Sequence, residues 1–247
     1  MNRRDASVAV IGAGDFIGAA IARRFAAEGY TVLAGRRHAD KLAPLQAAIE
    51  TAGGRCVARG LDARREDEIA AFIAAAEAIA PLEACIFNVG ANVNFPILET
   101  TERVFRKVWE MACCAGFLTG REAARVMVPR GAGSIFFTGA TASVRGGTGF
   151  AAFASAKAGL RAVAQSMARE LGPRGIHVAH LVIDSGVDTA WVRERIAAGE
   201  GADAARLNEP DRLMRPDSIA ATYWRLHTQT RDAWTFETDL RPFAEQW

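Results

Sequence analysis

The apolar run at residues 8–11 leads straight into Gly12-Ala13-Gly14-Asp15-Phe16-Ile17-Gly18, and a helix-period segment follows at once. Strand, glycine-rich turn and helix in that order make a phosphate cradle. Glycines let the backbone bend sharply and approach a pyrophosphate, whose charge meets the amides of a helix N-terminus. A glycine-rich turn alone says little, but its placement between strand and helix is what the chemistry requires. The glycines occupy the first, third and seventh positions, not the common first, third and sixth.

The elements that position this turn are legible along the whole chain. Strand-like runs fall at 8–11, 31–34, 55–60, 84–88, 134–138, 177–183 and 234–240. Helical periods fall at 18–28, 40–51, 66–80, 102–128, 150–171 and 217–229. Thr100 and Thr101 before Glu102 supply an N-cap with an acid in the first turn, while Pro129 and Gly172-Pro173 stop the two long helices. Short joins between alternating strands and helices predict an α/β fold: a doubly wound, mostly parallel seven-stranded sheet with helices on both faces, three layers in all. Residues 1–247 read as one domain, since neither linker nor repeat is visible. The stretch 189–215 lacks a clear period and carries Gly199-Glu200-Gly201; it is expected to be a substrate lid.

Composition narrows the partners. Half of the 247 residues are apolar, enough for a full core, and 30 basic against 28 acidic residues leave a net charge of +2 with no basic block. Nucleic acid and anionic membrane are therefore not expected partners. Cys56, Cys85, Cys113 and Cys114 form no CxxC pair and read as reduced thiols of a cytoplasmic protein. His177 and His180 lie three apart on one strand, so their side chains should point to opposite faces, and no metal site is expected. Residues 70–80 are too short to span a bilayer and include Glu77, and the start of the chain has no cleavage site of a secretory signal.

Further motifs carry a resemblance. Leu61-Asp62-Ala63 follows the third strand, Phe87-Asn88-Val89-Gly90 the fourth, and Val187-Asp188-Thr189 the sixth, with Lys157 on a long helix between. Together with the opening turn they resemble the short-chain dehydrogenase/reductase family over nearly the whole chain. That family writes its turn Gly-x-x-x-Gly-x-Gly; Gly12 and Gly18 match it, while Phe16 stands at the middle glycine and is expected to crowd the turn unless its ring points away. The resemblance implies that Gly12, Gly14, Asp15, Phe16 and Ile17 flank the pyrophosphate. It also implies that Asp62, beside Ala63, bonds the adenine, that Asn88 and Gly90 line the path to the nicotinamide, and that Thr189 meets the carboxamide. The second strand ends in Ala34-Gly35-Arg36-Arg37, with no acid to bind ribose hydroxyls. Arg36 and Arg37 suit a 2′-phosphate, which predicts NADP over NAD.

The family's chemistry uses a Ser and a Tyr on the substrate oxygen, a Lys four residues after the Tyr that grips the nicotinamide ribose, and an Asn that orients a relay water. Here the Tyr-x-x-x-Lys motif reads Phe153-Ala154-Ser155-Ala156-Lys157, Ala140 stands at the Ser, and Cys113 stands at the Asn when Gly116 is aligned with the family's helix glycine. Lys157 alone survives. Losing a positioned general acid costs ~10²–10⁴-fold and an oxyanion donor ~10²–10³-fold. Candidate substitutes are Thr138, Thr141, Ser143, Cys113, Cys114, Asn92, Asn94 and Asp184.

These residues predict an NADP-dependent oxidoreductase with a non-standard active site, taking a small apolar carbonyl, alcohol or enone, because Ala140 and Phe153 turn a polar wall greasy. An alternative is a catalytically silent NADP-binding sensor or partner subunit; a third is a lyase or isomerase in the old pocket. The resemblance also implies a homodimer or homotetramer assembled through the helices at 102–128 and 150–171.

Overall fold

The computed structural model of the protein describes residues 3–198 and 209–245. Seven parallel strands form one sheet in the order β3-β2-β1-β4-β5-β6-β7, where β1 is Ser7–Ile11, β2 Thr31–Arg36, β3 Arg55–Gly60, β4 Leu82–Phe87, β5 Gly133–Thr138, β6 Ile176–Ile183 and β7 Glu237–Leu240. The doubly wound, three-layered fold expected from the alternation is the fold observed. Helices α1 (Ile17–Ala27), α2 (Ala43–Thr51) and α8 (Pro216–His227) cover one face; α3 (Glu66–Ile79), α5 (Ala115–Met127) and α6 (Ala151–Leu171) cover the other. α4 (Glu102–Trp109) and α7 (Ala190–Ala197) complete the described helices.

Period-two alternation explains how continuous apolar runs serve both layers. Val8, Val10, Val32, Ala34 and Ile86 join Phe25 and Tyr223 in one core, whereas Ala9, Ile11, Leu33, Cys85 and Phe87 join Phe72 and Leu160 in the other. His177 and His180 divide likewise. His177 stacks on Trp234 with ring centroids 4.9 Å apart, and His180 Nδ1 meets Glu237 Oε2 at 3.0 Å. That stacking holds Trp234 outside the ladder, so the last strand begins at Glu237 and not at residue 234.

Two boundaries differ in a way that matters to the site. The helix expected over 102–128 is broken by a π-helical turn at Glu110–Cys114, which offsets Cys113 from the face a regular helix would give it. Residues 189–215 are not irregular throughout. Thr189 Oγ1 accepts from Val192 N at 3.1 Å and caps α7, and Val187 bridges Met214 beyond it. Gly199-Glu200-Gly201 lies outside the described residues. No helix among the described residues is long and apolar enough to cross a membrane.

The chain reverses its winding between β1 and β4, and crevices in such sheets open at the carboxyl ends of the strands at that point. The glycine turn leaves β1 there, and Asn88 leaves β4 beside it.

Candidate functional site

Backbone crossings fix the turn. Gly12 has φ +87°, and a methyl built on it would lie 2.6 Å from Asn88 O; one on Gly18 would lie 2.2 Å from Gly12 O. Asn88 Nδ2 donates to Gly12 O at 3.0 Å, and Gly12 and Ala13 amides donate to Gly35 O at 2.9 and 3.0 Å. Gly14 and Gly90 differ: a methyl on either meets no atom within 4 Å, because both face open cavity. Phe16, at the N-cap of α1, is 40% exposed and lines the larger cavity, and the turn has its backbone hydrogen bonds without the middle glycine.

Two cavities of about 250 and 770 Å³ meet at this turn, sharing Gly12, Gly14, Asn88, Val89 and Gly90 in their walls. The smaller is lined by Arg36, Arg37, Asp62 and Ala63, as the sequence motifs imply, and by Arg64, which they do not. Arg64 grips the Asp62 carboxylate, with Nε at 2.9 and 3.1 Å from its two oxygens and Nη2 at 2.5 Å. That fork, against the opposing effect of burial, holds the Asp62 carboxyl down at about 2. The Arg64 amide also donates to Oδ1 at 3.1 Å, so Arg64 meets each oxygen of this carboxylate twice. Arg36 Nη1 is paired with Asp15 Oδ1 at 3.0 Å, so the turn itself supplies an anion to this arginine.

The larger cavity is lined by Lys157. Lys157 is buried, and its Nζ donates to Thr138 O at 2.8 Å and Val89 O at 3.3 Å, with the Phe153 ring centroid 5.9 Å away. Burial pulls its ammonium down to about 8, outweighing the opposing pull of the Cys113 thiol. This has a measurable consequence. Between about 8 and the ordinary 10.5 the unfolded chain holds the proton that the folded chain has shed, so stability rises with pH through that window. The native chain should gain about 3 kcal/mol more than Lys157→Met across it in denaturant titrations; equal slopes would mean that this ammonium keeps its ordinary affinity for a proton.

Ala140, Phe153, Thr189 and Asn92 also line the larger cavity. Cys113 does not. Its Sγ packs behind Phe153, 2.9 Å from where a methyl on Gly159 would stand, and burial raises its thiol above the usual range. The other substitutes are mostly committed elsewhere. Thr138 Oγ1 bonds Tyr223 at 2.6 Å, Ser143 Oγ accepts from Ala140 N at 3.1 Å, and Asn94 Nδ2 donates to Thr148 O at 3.3 Å. Cys114 is partly exposed with its thiol raised by burial and by Glu110, and it is absent from the cavity wall. Asp184 is buried; burial pushes its carboxyl up, but Thr141, Arg241 and Arg145 prevail and keep it below the ordinary range.

Several wall residues escaped the sequence reading: Arg145, Phe150, Trp191 and Val192. Arg145 stands in a Gly-rich loop with no period to read, and Trp191 sits on α7, a helix the aperiodic segment concealed.

Residues 6–198 match the family described as short chain dehydrogenase. Over 225 residues the chain is 31% identical to the short-chain reductase protein NovJ of Streptomyces niveus, covering 87% of this chain and 85% of that protein. Over 196 residues it is 32% identical to the 3-oxoacyl-[acyl-carrier-protein] reductase MabA of Mycobacterium avium, covering 78% and 72%. A crystal structure of a short-chain dehydrogenase from Rhodopseudomonas palustris is similar with TM-score 0.84 at 63% identity, covering 97% of this chain and all of that one. A metagenomic short-chain oxidoreductase solved in complex with NADP shares the fold with TM-score 0.81 at 24% identity, covering 98% and 99%.

Proposed function

Because this chain belongs to the short-chain dehydrogenase family, we propose that it is an NADP-dependent oxidoreductase with a non-standard active site, in which Ala140, Phe153 and Cys113 stand for the usual Ser, Tyr and Asn. The observation that carries the reading is the pair of cavities joined across Gly14 and Gly90, running from Arg36 and Arg37 to buried Lys157. Both glycines leave empty the space a side chain would fill, which suits an extended dinucleotide lying over the turn.

When bound, that group exchanges hydride with substrate. The chain's residues would do the rest. Amides at the start of α1 meet the diphosphate, Arg37 and Arg36 offer guanidinium groups to the 2′-phosphate, and Asp62 accepts from the adenine amine. Arg36 must then exchange Asp15 for the phosphate. Lys157 grips the ribose, held in place by the carbonyls of Thr138 and Val89. Neither Ala140 nor Phe153 can exchange a proton, so the substrate's proton comes from solvent. An enone, which takes its proton at carbon, tolerates this better than a ketone oxygen. The apolar walls from Phe150, Phe153, Ile183 and Trp191 favour an apolar substrate. Residues 189–215 are read as its lid, since Thr189, Trp191 and Val192 at one end line the cavity.

The same two changes favour a second reading, an NADP-binding sensor or partner subunit without turnover. Titration with NADPH and NADH, followed by reductase assays over ketones and enones, separates the two. The first reading expects tighter NADPH binding and turnover of enones; binding without any turnover selects the second, and absence of binding removes both. A homodimer or homotetramer in the cytoplasm completes the proposal, with half-exposed Phe105, Trp109 and Phe117 offering an apolar stripe for assembly.

A further inference from the structure

The wall of the larger cavity is apolar save for a few groups, and its charged members are three: Asp15, Arg145 and Lys157. Asp15 lies at the opening turn, paired with Arg36. Lys157 is buried with its Nζ on two carbonyls. Among the described residues of that wall, Arg145 is the exposed cation. It follows the loop after Ala140, so it stands at the substrate end of the cavity beside Thr141 and Ala142.

Its guanidinium has one anchor, and the side chain is 54% exposed. Nη2 donates to Asp184 Oδ1 at 3.2 Å, which is its one hydrogen bond among the described residues. The Asp184 side chain is 2% exposed and cannot swing away; Arg241 Nε donates to its other oxygen at 2.7 Å, and Thr141 bonds it too. One carboxylate thus serves two guanidinium groups, and the longer of its contacts goes to Arg145. Of five N–H donors on a planar fork, Arg145 leaves most without a protein partner among the described residues, with only part of its charge offset. A held, half-exposed guanidinium at the end of an apolar chamber of about 770 Å³ suits an amphipathic ligand with one anionic end.

We propose that Arg145 docks a carboxylate of the substrate, so that the compound reduced or oxidised here is an apolar carbonyl, alcohol or enone acid. The inference rests on the oxidoreductase reading for the reaction but not for the binding. A carboxylate fits better than a phosphate, because a dianion exceeds the charge that a guanidinium shared with Asp184 can offset. Asp184 acts as a positioning residue: its buried carboxylate anchors the fork of a cavity-lining arginine whose side chain is half-exposed.

Calorimetric titration of the protein with phenylbutyrate and with its neutral isostere phenylbutyramide, with and without saturating NADP, tests this. The acid should bind tighter than the amide by roughly 10-fold or more, the worth of a charge-assisted hydrogen bond. Arg145→Gln should remove that preference and Arg145→Lys should restore part of it. Asp184 keeps Arg241 and Thr141 in both variants, so the unfolding temperature should stay near the native one; were the Gln variant to unfold, the acid–amide comparison in the native chain and the Lys variant would still decide. Equal binding of acid and amide, a preference that survives Arg145→Gln, or no binding of either ligand overturns the proposal. Failure of NADP to bind, with acid preference intact, would instead strike the oxidoreductase reading alone.

Discussion

Gly14→Val should leave the unfolding temperature near that of the native chain while weakening NADPH binding by roughly 10- to 100-fold, whereas Gly18→Ala should unfold the protein at far lower temperature. The two glycines sit four residues apart on one turn, yet their surroundings are opposite. A methyl on Gly14 meets nothing within 4 Å and neither Gly14 nor Gly18 has left-handed backbone, so neither backbone strain nor a clash at Cβ opposes the substitution. A valine there occupies the space above the turn where a diphosphate must come close, and overpacking of about 1–3 kcal/mol converts to that loss of affinity. At Gly18 the methyl would lie 2.2 Å from Gly12 O and 2.7 Å from Ala13 Cα, both backbone atoms that cannot rotate aside. Helix propensity alone favours Ala over Gly by about 1 kcal/mol, so the sign of the Gly18 effect separates packing from propensity. Fluorescence titration with NADPH and thermal melts of both variants give the answer. Native affinity in Gly14→Val would mean that no ligand crosses the turn.

The ease of reading this turn and the difficulty of reading the far wall have physical causes. Gly18 is dictated by a short-range crossing over Gly12, which follows directly from a strand that feeds a helix, and Gly12 by its left-handed backbone and the crossing of Asn88 from the neighbouring strand. Apolar strand-like runs alternating with helix-period segments placed the sheet, although the continuous burial of β1, β2 and β4 left the two cores to be separated by the structure. The ends of the elements were read less well where long-range contacts overrule local signals. Trp234 has the β-propensity of a strand residue, but stacking on His177 keeps it out of the ladder. Met111, Ala112, Cys113 and Cys114 hold no proline or glycine to announce a π turn, yet that turn takes Cys113 out of the cavity wall and behind Phe153. Arg64 was invisible for a different reason. Its fork on Asp62 joins residues two apart in a loop, where spacing carries no periodic signal.

Phe153→Tyr combined with Ala140→Ser should raise kcat/KM for ketone reduction by NADPH about 100-fold or more over the native chain. Phe153 and Ala140 both line the larger cavity, where the proposed reading puts the substrate oxygen. The Tyr would stand beside Lys157, whose ammonium, with its pKa about 8, is largely charged at neutral pH and favours the phenolate. A general acid contributes ~10²–10⁴-fold and an oxyanion donor ~10²–10³-fold, but both act on one step and the sum of their logarithms overstates the pair. Phe153→Tyr alone should therefore deliver most of the gain. Cys113→Asn is the weaker third change, because Sγ already fills the gap at Gly159 and a larger amide must displace α6 or the π turn. Adding Lys157→Met to the double variant should abolish the gain, since the new phenol would lose the charge that lowers its pKa. On the proposed reading enone reduction should change little, as its proton would go to carbon and come from water. No increase in ketone turnover by a folded double variant that binds NADPH as the native chain does would place the reacting carbon somewhere other than against Ala140 and Phe153.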